Sequence, residues 1–359
     1  MNAFCQRLAL LSFLAISLFS STTLATSVLA IDYGSDFIKA SLMKPGMPFD
    51  VLLNKDSKRK IRSSVGWKNG ERLFGQDAFN IVRCSAKLGV FFFCFFFFFD
   101  GLSRQATRFP KDSYNSLKYL LGVPANADVV AYYSSFAIPA LAPSSRFTTS
   151  IPRGEDAAAT WDVEELVAMQ FAYVRGLAEE AAGERVHDVV VTVPAFYAQF
   201  ERDAIADAVE LAGLRLLALV NDGAAVAVNY AMTRQFAADA PERHIVYDAG
   251  AGSTRATVAT FSAQKSQGKS KKDPGKLITV NGVGYDRLAG GTELDRRLRE
   301  ILVQEFEYKH GVGIREDPKG MMKLWKEAER IKAILSANTE AAARVRICHT
   351  VRKEGVADF

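Results

Sequence analysis

Short apolar runs that end in turn residues recur along the chain and predict β-strands. We expect strands at 27–31, 37–42, 188–195, 214–220, 244–247 and 256–261. Between them, residues 200–212 have the spacing of an amphipathic helix, and the alanine-rich stretch 224–231 predicts a second helix. Strands and helices that alternate in this way are typical of an α/β fold.

Two of the predicted hairpins share the same kind of small-residue turn. In the first, Asp32 ends a strand and is followed by Gly34, Ser35 and Asp36 before the chain returns. In the second, Asp248 ends a strand, and the residues that follow are Gly250, Gly252, Ser253 and Thr254. A strand-end acid can hold Mg²⁺ through water, and such turns can point N–H groups at phosphate oxygens. One hairpin alone indicates an ordinary turn, but the pair predicts a duplicated fold that holds one nucleotide from both sides.

Two other groups of polar residues allow more than one interpretation. Asp222 follows a predicted strand and precedes the alanine-rich helix, so it could be only a helix N-cap. Glu329, Lys332 and Ser336 are spaced i, i+3 and i+7, which places them on one helical face. Alone, these three residues favour a solvated charged stripe. Together with the two glycine hairpins, they favour a contact with nucleotide.

The composition is that of a globular protein with two domains or two lobes. The chain has 359 residues, of which 49% are hydrophobic and 24% charged, and this balance excludes a disordered chain or a coiled coil. The net charge of +5 is spread along the chain, so nucleic acid is not expected as a partner. The four cysteines form no CxxC pair and no disulfide framework.

The N-terminus has the pattern of a secretory signal peptide over residues 1–25. Arg7 precedes the apolar stretch 8–19, and a small-x-small cleavage site follows at 23–25. The apolar stretch is short for a membrane span, so no stable span is expected. The alternatives are an N-terminal anchor or a buried first helix.

A second unusual segment lies at residues 89–99, which are almost entirely phenylalanine around Cys94. The run has neither helical nor strand periodicity, and an exposed strand of this composition would promote aggregation. We interpret about 83–105 as an accidental insertion, such as translated intron. The alternative is a hairpin that dips into a membrane.

Several motifs together resemble the actin-like ATPase domain of the 70-kDa heat-shock protein (Hsp70) superfamily. They are IDYGS (31–35), VVTVPAFY (190–197), LVNDGAAVAVNY (219–230), YDAGAGST (247–254), GGTELD (290–295) and EAERIKAILSAN (327–338). The resemblance implies an α/β, ribonuclease H-like duplicated fold with two lobes that binds ATP or ADP with Mg²⁺. It assigns 27–220 to lobe I and 221–345 to an incomplete lobe II.

The turn DAGAGST and the signal peptide are similar to the large endoplasmic-reticulum branch of that superfamily, the hypoxia up-regulated or 170-kDa glucose-regulated type. This similarity implies residence in the endoplasmic-reticulum lumen. It also implies that the protein is a nucleotide-exchange factor for the lumenal 70-kDa chaperone of the BiP type and a holdase for unfolded client proteins.

The resemblance also implies roles for particular residues. Asp32 and Asp248 would approach the metal-bound phosphates, and Asp222 would take the place of a glutamate beside Mg²⁺ and the attacking water. Residues expected to contact the phosphates are Gly34, Ser35, Asp36, Gly250, Gly252, Ser253, Thr254, Gly290 and Gly291. The residues expected to contact adenosine are Glu329, Lys332 and Ser336.

The sequence departs from the family pattern at several of these positions. Phe79 aligns with the hydrolytic lysine, Arg255 replaces an acid after the second turn, and Ala333 replaces an arginine that stacks on adenine. The alternative for Phe79 is a packing residue in a slightly misaligned register. Asp222 is one methylene shorter than the usual glutamate. Because fixed charge is the main contribution to phosphoryl-transfer catalysis, we expect hydrolysis to be weak or absent while binding is retained.

Two stretches lie outside the resemblance. Residues 262–276 are polar and basic and predict a solvated hairpin loop, and residues 346–359 predict an unrelated tail. Without the rest of lobe II and a substrate-binding domain, the chain would be a truncated fragment. Two alternative functions remain at this point: a small-molecule (sugar-type) kinase on the same fold, and a non-functional truncated gene product.

Overall fold

The computed structural model describes residues 27–47, 50–68, 70–80, 113–137, 139–146, 148–153, 156–264, 275–348 and 354–358. The predicted signal peptide and the phenylalanine-rich segment lie outside the described residues. Most of the predicted loop at 262–276 also lies outside them.

A five-stranded mixed sheet forms the centre of the first half of the chain. Its strand order is β11 (Arg215–Asn221), β10 (Asp188–Val193), β1 (Val28–Tyr33), β2 (Phe37–Met43) and β3 (Ile61–Arg62). The hairpin β1–β2 is antiparallel, whereas β1, β10 and β11 run parallel to one another. Parallel neighbours put the carboxyl ends of β1, β10 and β11 at one edge of the sheet, and the residues expected to bind phosphate begin at that edge.

Two helices provide the connections that parallel strands need. α3 (Val163–Ala182) precedes β10, and α4 (Gln199–Leu211) joins β10 to β11. The Glu165 carboxylate of α3 accepts a hydrogen bond from the backbone N–H of Asp162 at 3.0 Å, which satisfies a donor at the start of the helix. α3 ends where Gly183 takes a left-handed conformation with φ of 67°.

The apolar faces of the sheet and of α3 form the main core. The ring of Phe171 packs edge-to-face against Tyr33, with ring centroids 5.2 Å apart. Both side chains are fully buried, as are the neighbouring Leu29, Ile31, Val174, Val189 and Val191. This packing fixes β1, and therefore the turn that follows it, against a rigid support.

Two small antiparallel sheets and short helices surround this core. One sheet has the order β5 (Glu71–Phe74), β4 (Ser64–Lys68) and β6 (Ser113–Asn115). The other contains β7, β8 and β9, at Ala142–Pro143, Thr149–Arg153 and Asp156–Asp162. The short helices are α1 (Gly75–Phe79), a 3₁₀ turn (Leu117–Tyr119) and α2 (Asp128–Ser134).

The second half of the chain contains an antiparallel sheet of three strands. They are β12 (Glu242–Ala249), β13 (Thr254–Ala263) and β14 (Lys276–Asp286), and α5 (Asp222–Met232) packs on one face through a small apolar cluster around Phe261. The start of α5 lies very close to β13 at Gly223. A Cβ at this position would lie only 2.1 Å from Thr257 Oγ1, so a larger residue would overlap the strand.

Helices α6 (Gly291–His310) and α7 (Pro318–Leu335) form a pair with their own apolar core. The last described strands, β15 (Arg344–Cys348) and β16 (Glu354–Asp358), form an antiparallel ribbon. Val345 of β15 is buried in the core of the α6–α7 pair. The boundary expected at residue 345 therefore falls inside a strand.

The α6–α7 pair also contacts the first half of the chain. The Trp325 ring stacks on Phe136 with centroids 5.3 Å apart, and the Arg299 guanidinium donates to the carbonyl oxygens of Ser135 and Phe136. The Arg62 guanidinium pairs with the Glu329 carboxylate at 2.5 Å. These contacts join α6 and α7 to the first half of the chain.

The predicted α/β class is confirmed, and the predicted strands and both predicted helices are present within a few residues of their expected ends. Among the described residues, no helix combines the length and apolar character needed to cross a bilayer.

Replacing Phe171 by Ala tests whether the main core carries the stability of the fold. The substitution leaves a cavity beside Tyr33, so we expect the free energy of unfolding to fall by about 3–5 kcal/mol. Urea denaturation followed by circular dichroism measures this change. The matched control is Phe200→Ala on α4, because Phe200 is 49% exposed and its loss should change stability by less than about 1 kcal/mol. Equal effects of the two substitutions would contradict the assigned core.

Candidate functional site

The first turn connects β1 to β2 and lies at the carboxyl end of β1. The Gly34 N–H donates to the Phe37 carbonyl oxygen at 3.1 Å and closes the turn. A Cβ on Gly34 would lie 2.4 Å from that oxygen, so the tight turn requires glycine. Ser35 and Asp36 follow at the tip, and Asp32 lies on the strand that leads into the turn.

The second turn connects β12 to β13 and is attached to the start of α6. The Gly250 N–H donates to the Ser253 carbonyl oxygen at 3.0 Å. The Gly291 N–H in turn donates to the Gly250 carbonyl oxygen at 3.0 Å. A Cβ on Gly290 would lie 2.3 Å from the Ala251 carbonyl oxygen. The pair Gly290–Gly291 therefore lets the start of α6 lie directly against the turn.

The two turns approach each other closely. A Cβ on Gly252 would lie 2.2 Å from the Ser35 Oγ, which shows that the second turn meets the tip of the first. The pKa of Asp248 is raised by burial and by the negative charge of Asp32, so these two carboxylates share one region of space. We call this space, bounded by the turns at 34–36 and 250–254, the central crevice.

Each acidic residue of the central crevice has a basic partner. Asp32 accepts hydrogen bonds from Lys39 Nζ at 2.8 Å and from Thr192 Oγ1 at 2.9 Å. Burial alone would raise the pKa of Asp32, but the hydrogen bond and charge of Lys39 outweigh burial and lower it. The Arg255 guanidinium pairs with both the Asp222 and the Asp248 carboxylates.

Lys118 lies in the same crevice and was missed by the sequence analysis. Its Nζ donates to the Tyr33 carbonyl oxygen at 2.5 Å. Burial and the positive charge of Arg255 lower the pKa of Lys118 to about 8, while Asp32 and Asp248 oppose this shift. The sequence feature that could have indicated Lys118 is its position as the charged residue within the apolar run LKYLLG (117–122).

The alignment of Phe79 with the hydrolytic lysine stays a prediction. Phe79 is buried, with the Arg62 guanidinium 4.0 Å and the Lys326 Nζ 4.8 Å from its ring centroid. Phe79 therefore packs against two cations, whereas Lys118 is a lysine that interacts with the charges of Asp32 and Asp248.

Asp222 does not cap its helix, because Asn221 occupies the N-cap position and Asp222 is the first helical residue. Its carboxylate accepts a hydrogen bond from the Gly223 N–H at 2.8 Å and pairs with Arg255. The alternative in which Asp222 is only an N-cap is therefore wrong, and Asp222 belongs to the charged cluster of the crevice.

The predicted adenosine-contacting residues separate into two groups. Glu329 pairs with Arg62 and accepts from the Trp325 indole N–H at 3.1 Å, and Lys332 donates to the Gly291 carbonyl oxygen at 3.1 Å. These two residues are partly buried, so the alternative of a solvated stripe is wrong for them. Ser336 lies just beyond the end of α7 and is exposed, with its hydroxyl donating to the Ala333 carbonyl oxygen.

The crevice acids do not form a site in which the protein alone ligates Mg²⁺. One oxygen of Asp32 accepts from Thr192 and the other pairs with Lys39, while one oxygen of Asp248 pairs with Arg255. Across the described parts of the chain, no group of three His, Cys, Asp or Glu side chains is arranged to hold a metal ion. Mg²⁺ usually keeps several waters and is held by one or two carboxylates together with substrate phosphates. The contact of Asp32 and Asp248 with Mg²⁺ through water therefore stays a prediction.

The central sheet, the second sheet with its helices and the two facing glycine turns are features of the actin-like ATPase fold. The family model described as "Hsp70 protein" matches residues 102–359, and the chain belongs to the Hsp70 family. The matched range includes residues 346–359, which the sequence pattern alone had left outside the resemblance.

Individual relatives support the same family assignment. The chain is 37% identical to "Hypoxia up-regulated protein 1" of Xenopus laevis over 336 residues, which are 92% of the chain and 47% of that protein. It is 36% identical to the protein of the same name from Danio rerio over 96% of the chain and 32% of that protein. It is 35% identical to "Heat shock protein 70 homolog lhs1" of Schizosaccharomyces pombe over 89% of the chain and 35% of that protein. The chain thus spans about a third to a half of the length of these relatives.

Asp295 of α6 provides a test of the buried charges beside the crevice. Burial raises the pKa of Asp295 from 3.8 to about 6; Lys332 opposes this shift, and Glu329 and Asp36 add to it. Between about pH 4 and pH 6 the folded protein keeps a proton that the unfolded chain has released. This contribution to stability is therefore present at low pH and is lost as the pH rises through about 6.

We therefore expect wild type to lose stability relative to Asp295→Asn as the pH rises across this window, by up to about 1.4 kcal/mol per pH unit. Urea denaturation at several pH values measures the difference. The control is Asp286→Asn, because hydrogen bonds from the backbone N–H groups of Leu288 and Ala289 lower the pKa of Asp286 and keep its titration below the window. A stability difference for Asp295→Asn that stays constant with pH would contradict the assignment.

Proposed function

We propose that the central crevice binds the phosphates of ATP or ADP. The observation that carries this proposal is the close approach of Gly252 to Ser35, because two small-residue turns that face each other can surround one phosphate chain. The partly buried Lys118 supports it, since a cation in the crevice attracts an anionic ligand. Membership of the Hsp70 family, which binds nucleotide, agrees with this assignment.

The adenosine would bind along α7 on the side of Glu329 and Lys332. Both residues lie between the two halves of the chain: Glu329 pairs with Arg62 of β3, and Lys332 contacts the start of α6. A nucleotide at this position would contact both halves at once. It would therefore act as a conformational ligand, because it binds the closed arrangement more tightly than the open one. The role of the exposed Ser336 in this contact stays a prediction.

Hydrolysis is expected to be slow because Phe79 aligns with the hydrolytic lysine, and the partners of the crevice acids give a second reason. Arg255 holds Asp222 and Asp248 in ion pairs, so neither carboxylate is available to orient a water molecule without losing a partner. Catalysis of phosphoryl transfer depends on such groups being correctly placed. Binding depends less on them, so nucleotide binding without rapid turnover is the expected behaviour.

We further propose that the protein is an ATP-binding chaperone of the endoplasmic-reticulum lumen that assists protein folding and the stress response. Its role would be nucleotide exchange on a lumenal 70-kDa chaperone of the BiP type. Similarity to relatives named "Hypoxia up-regulated protein 1" and "Heat shock protein 70 homolog lhs1" supports this proposal, as does the predicted signal peptide. Holding of unfolded client proteins would belong to a longer form, because the chain spans only part of these relatives.

Nucleotide binding can be tested with Gly290→Ala. The added Cβ would overlap the Ala251 carbonyl oxygen and displace the second turn, so we expect the dissociation constant for ADP to rise about ten-fold or more. Isothermal titration calorimetry on the whole chain measures it. The control is Gly284→Ala on β14, where an added Cβ meets nothing within 4 Å and binding should be unchanged. Absence of ADP binding by the wild-type chain would contradict the proposal.

Nucleotide exchange needs a separate experiment. A BiP-type chaperone is loaded with a fluorescent ADP analogue, and release is followed by stopped flow after the chain and excess ATP are added. We expect the chain to accelerate release, because a partner on the lobe surface can favour the open state of the chaperone. A rate equal to that with ATP alone would contradict the exchange role while leaving nucleotide binding intact.

A further inference from the structure

Lys118 interacts with both walls of the central crevice. It is the middle residue of the 3₁₀ turn Leu117–Tyr119, and its Nζ donates to the carbonyl oxygen of Tyr33, the residue that precedes the first glycine turn. The charges of Asp248 and Arg255, at the ends of the strands that form the second turn, also act on this ammonium group. A single cation is therefore close to residues of both walls.

The position of Lys118 is fixed by its neighbours. Leu117 and Tyr119 on either side are buried, and the Tyr197 hydroxyl donates to the Lys118 carbonyl oxygen at 3.2 Å. The Lys118 Nζ lies 5.9 Å from the Tyr33 ring centroid and 6.0 Å from the Tyr197 ring centroid. A lysine held in this way loses less conformational entropy on binding a ligand than a free surface lysine does.

Lys118 differs from the other cations around the crevice because it has no carboxylate partner. Each acid of the crevice and of the first turn already pairs with another basic side chain. The pairs are Lys39–Asp32, Arg62–Asp36, Arg255–Asp222 and Arg255–Asp248. In the described part of the chain, no ion pair joins Lys118 to a carboxylate, and its acceptor is a neutral carbonyl oxygen. The charge of Lys118 is therefore not neutralised by a direct contact.

An anionic ligand would improve the surroundings of this ammonium group. Burial, followed by the positive charge of Arg255, lowers the pKa of Lys118 to about 8, so the charged form is disfavoured in the free protein. An ammonium group has three N–H donors, and that of Lys118 contacts one acceptor among the described residues. A phosphate oxygen would supply both a further acceptor and a negative charge.

We propose that the Lys118 ammonium group contacts the phosphate chain of the bound nucleotide and provides the positive charge that holds this chain in the crevice. The inference rests on the proposed nucleotide binding and identifies the side chain that recognises phosphate. Phe79, which aligns with the hydrolytic lysine of the family, has no donor for a phosphate oxygen. The charge comes instead from the segment beside the first turn.

The test measures ADP binding by the whole chain in the presence of Mg²⁺, using isothermal titration calorimetry. Lys118→Met removes the charge and keeps an unbranched side chain, so we expect the dissociation constant to rise at least about ten-fold. Lys118→Gln keeps a donor for the Tyr33 carbonyl oxygen but not the charge, and should lose as much. Lys118→Arg keeps the charge and should stay within about three-fold of wild type.

The matched control is Lys319→Met, which makes the same charge change at an exposed position near the start of α7. It should bind ADP as wild type does. Circular dichroism checks that each variant is folded, and Lys118→Gln decides the test if Lys118→Met does not fold.

The outcomes separate this inference from the proposed function. If wild type binds ADP and Lys118→Met raises the dissociation constant by less than about ten-fold, the Lys118 inference is wrong and the nucleotide-binding proposal stands. Equal losses in Lys118→Arg and Lys118→Met would show that packing matters rather than charge, and would also overturn the inference. If wild type does not bind ADP, both proposals are wrong.

Discussion

The close backbone approach between two glycine turns is the constraint on which the rest of the site depends. Gly252 lies where any larger residue would overlap Ser35, and Gly290 lies where one would overlap the second turn itself. Such contacts are possible only if both turns are held rigidly. The buried packing of Tyr33 on Phe171 holds the first, and the attachment of Gly291 to Gly250 holds the second.

The ion pairs around these turns cost desolvation free energy when they are buried. Burying ion pairs removes them from water, so the Arg255 cluster and the Arg62–Glu329 pair contribute little net stability compared with apolar packing. Removing one partner would leave an uncompensated buried charge, so breaking a pair would cost much more than forming it contributes. The Arg62–Glu329 pair joins β3 to α7, so it also links the position of α7 to the first half of the chain.

Local features of the fold could be predicted from the sequence, whereas contacts between distant residues could not. The hairpins at Asp32 and Asp248 were recognisable because apolar runs and glycine turns are local signals. Lys118 was missed because one lysine in an apolar run looks like a surface residue until its neighbours are known. The pairing of Glu329 with Arg62 was also beyond the sequence, since helical spacing shows which face a residue occupies but not what that face meets.

The central claim is that both glycine turns contact one phosphate chain. A crystal structure of the protein with a non-hydrolysable ATP analogue tests this most directly. The account predicts that phosphate oxygens accept hydrogen bonds from backbone N–H groups of both turns, 34–36 and 250–254. A nucleotide that contacts only one of the turns, or that binds elsewhere on the protein, would contradict it.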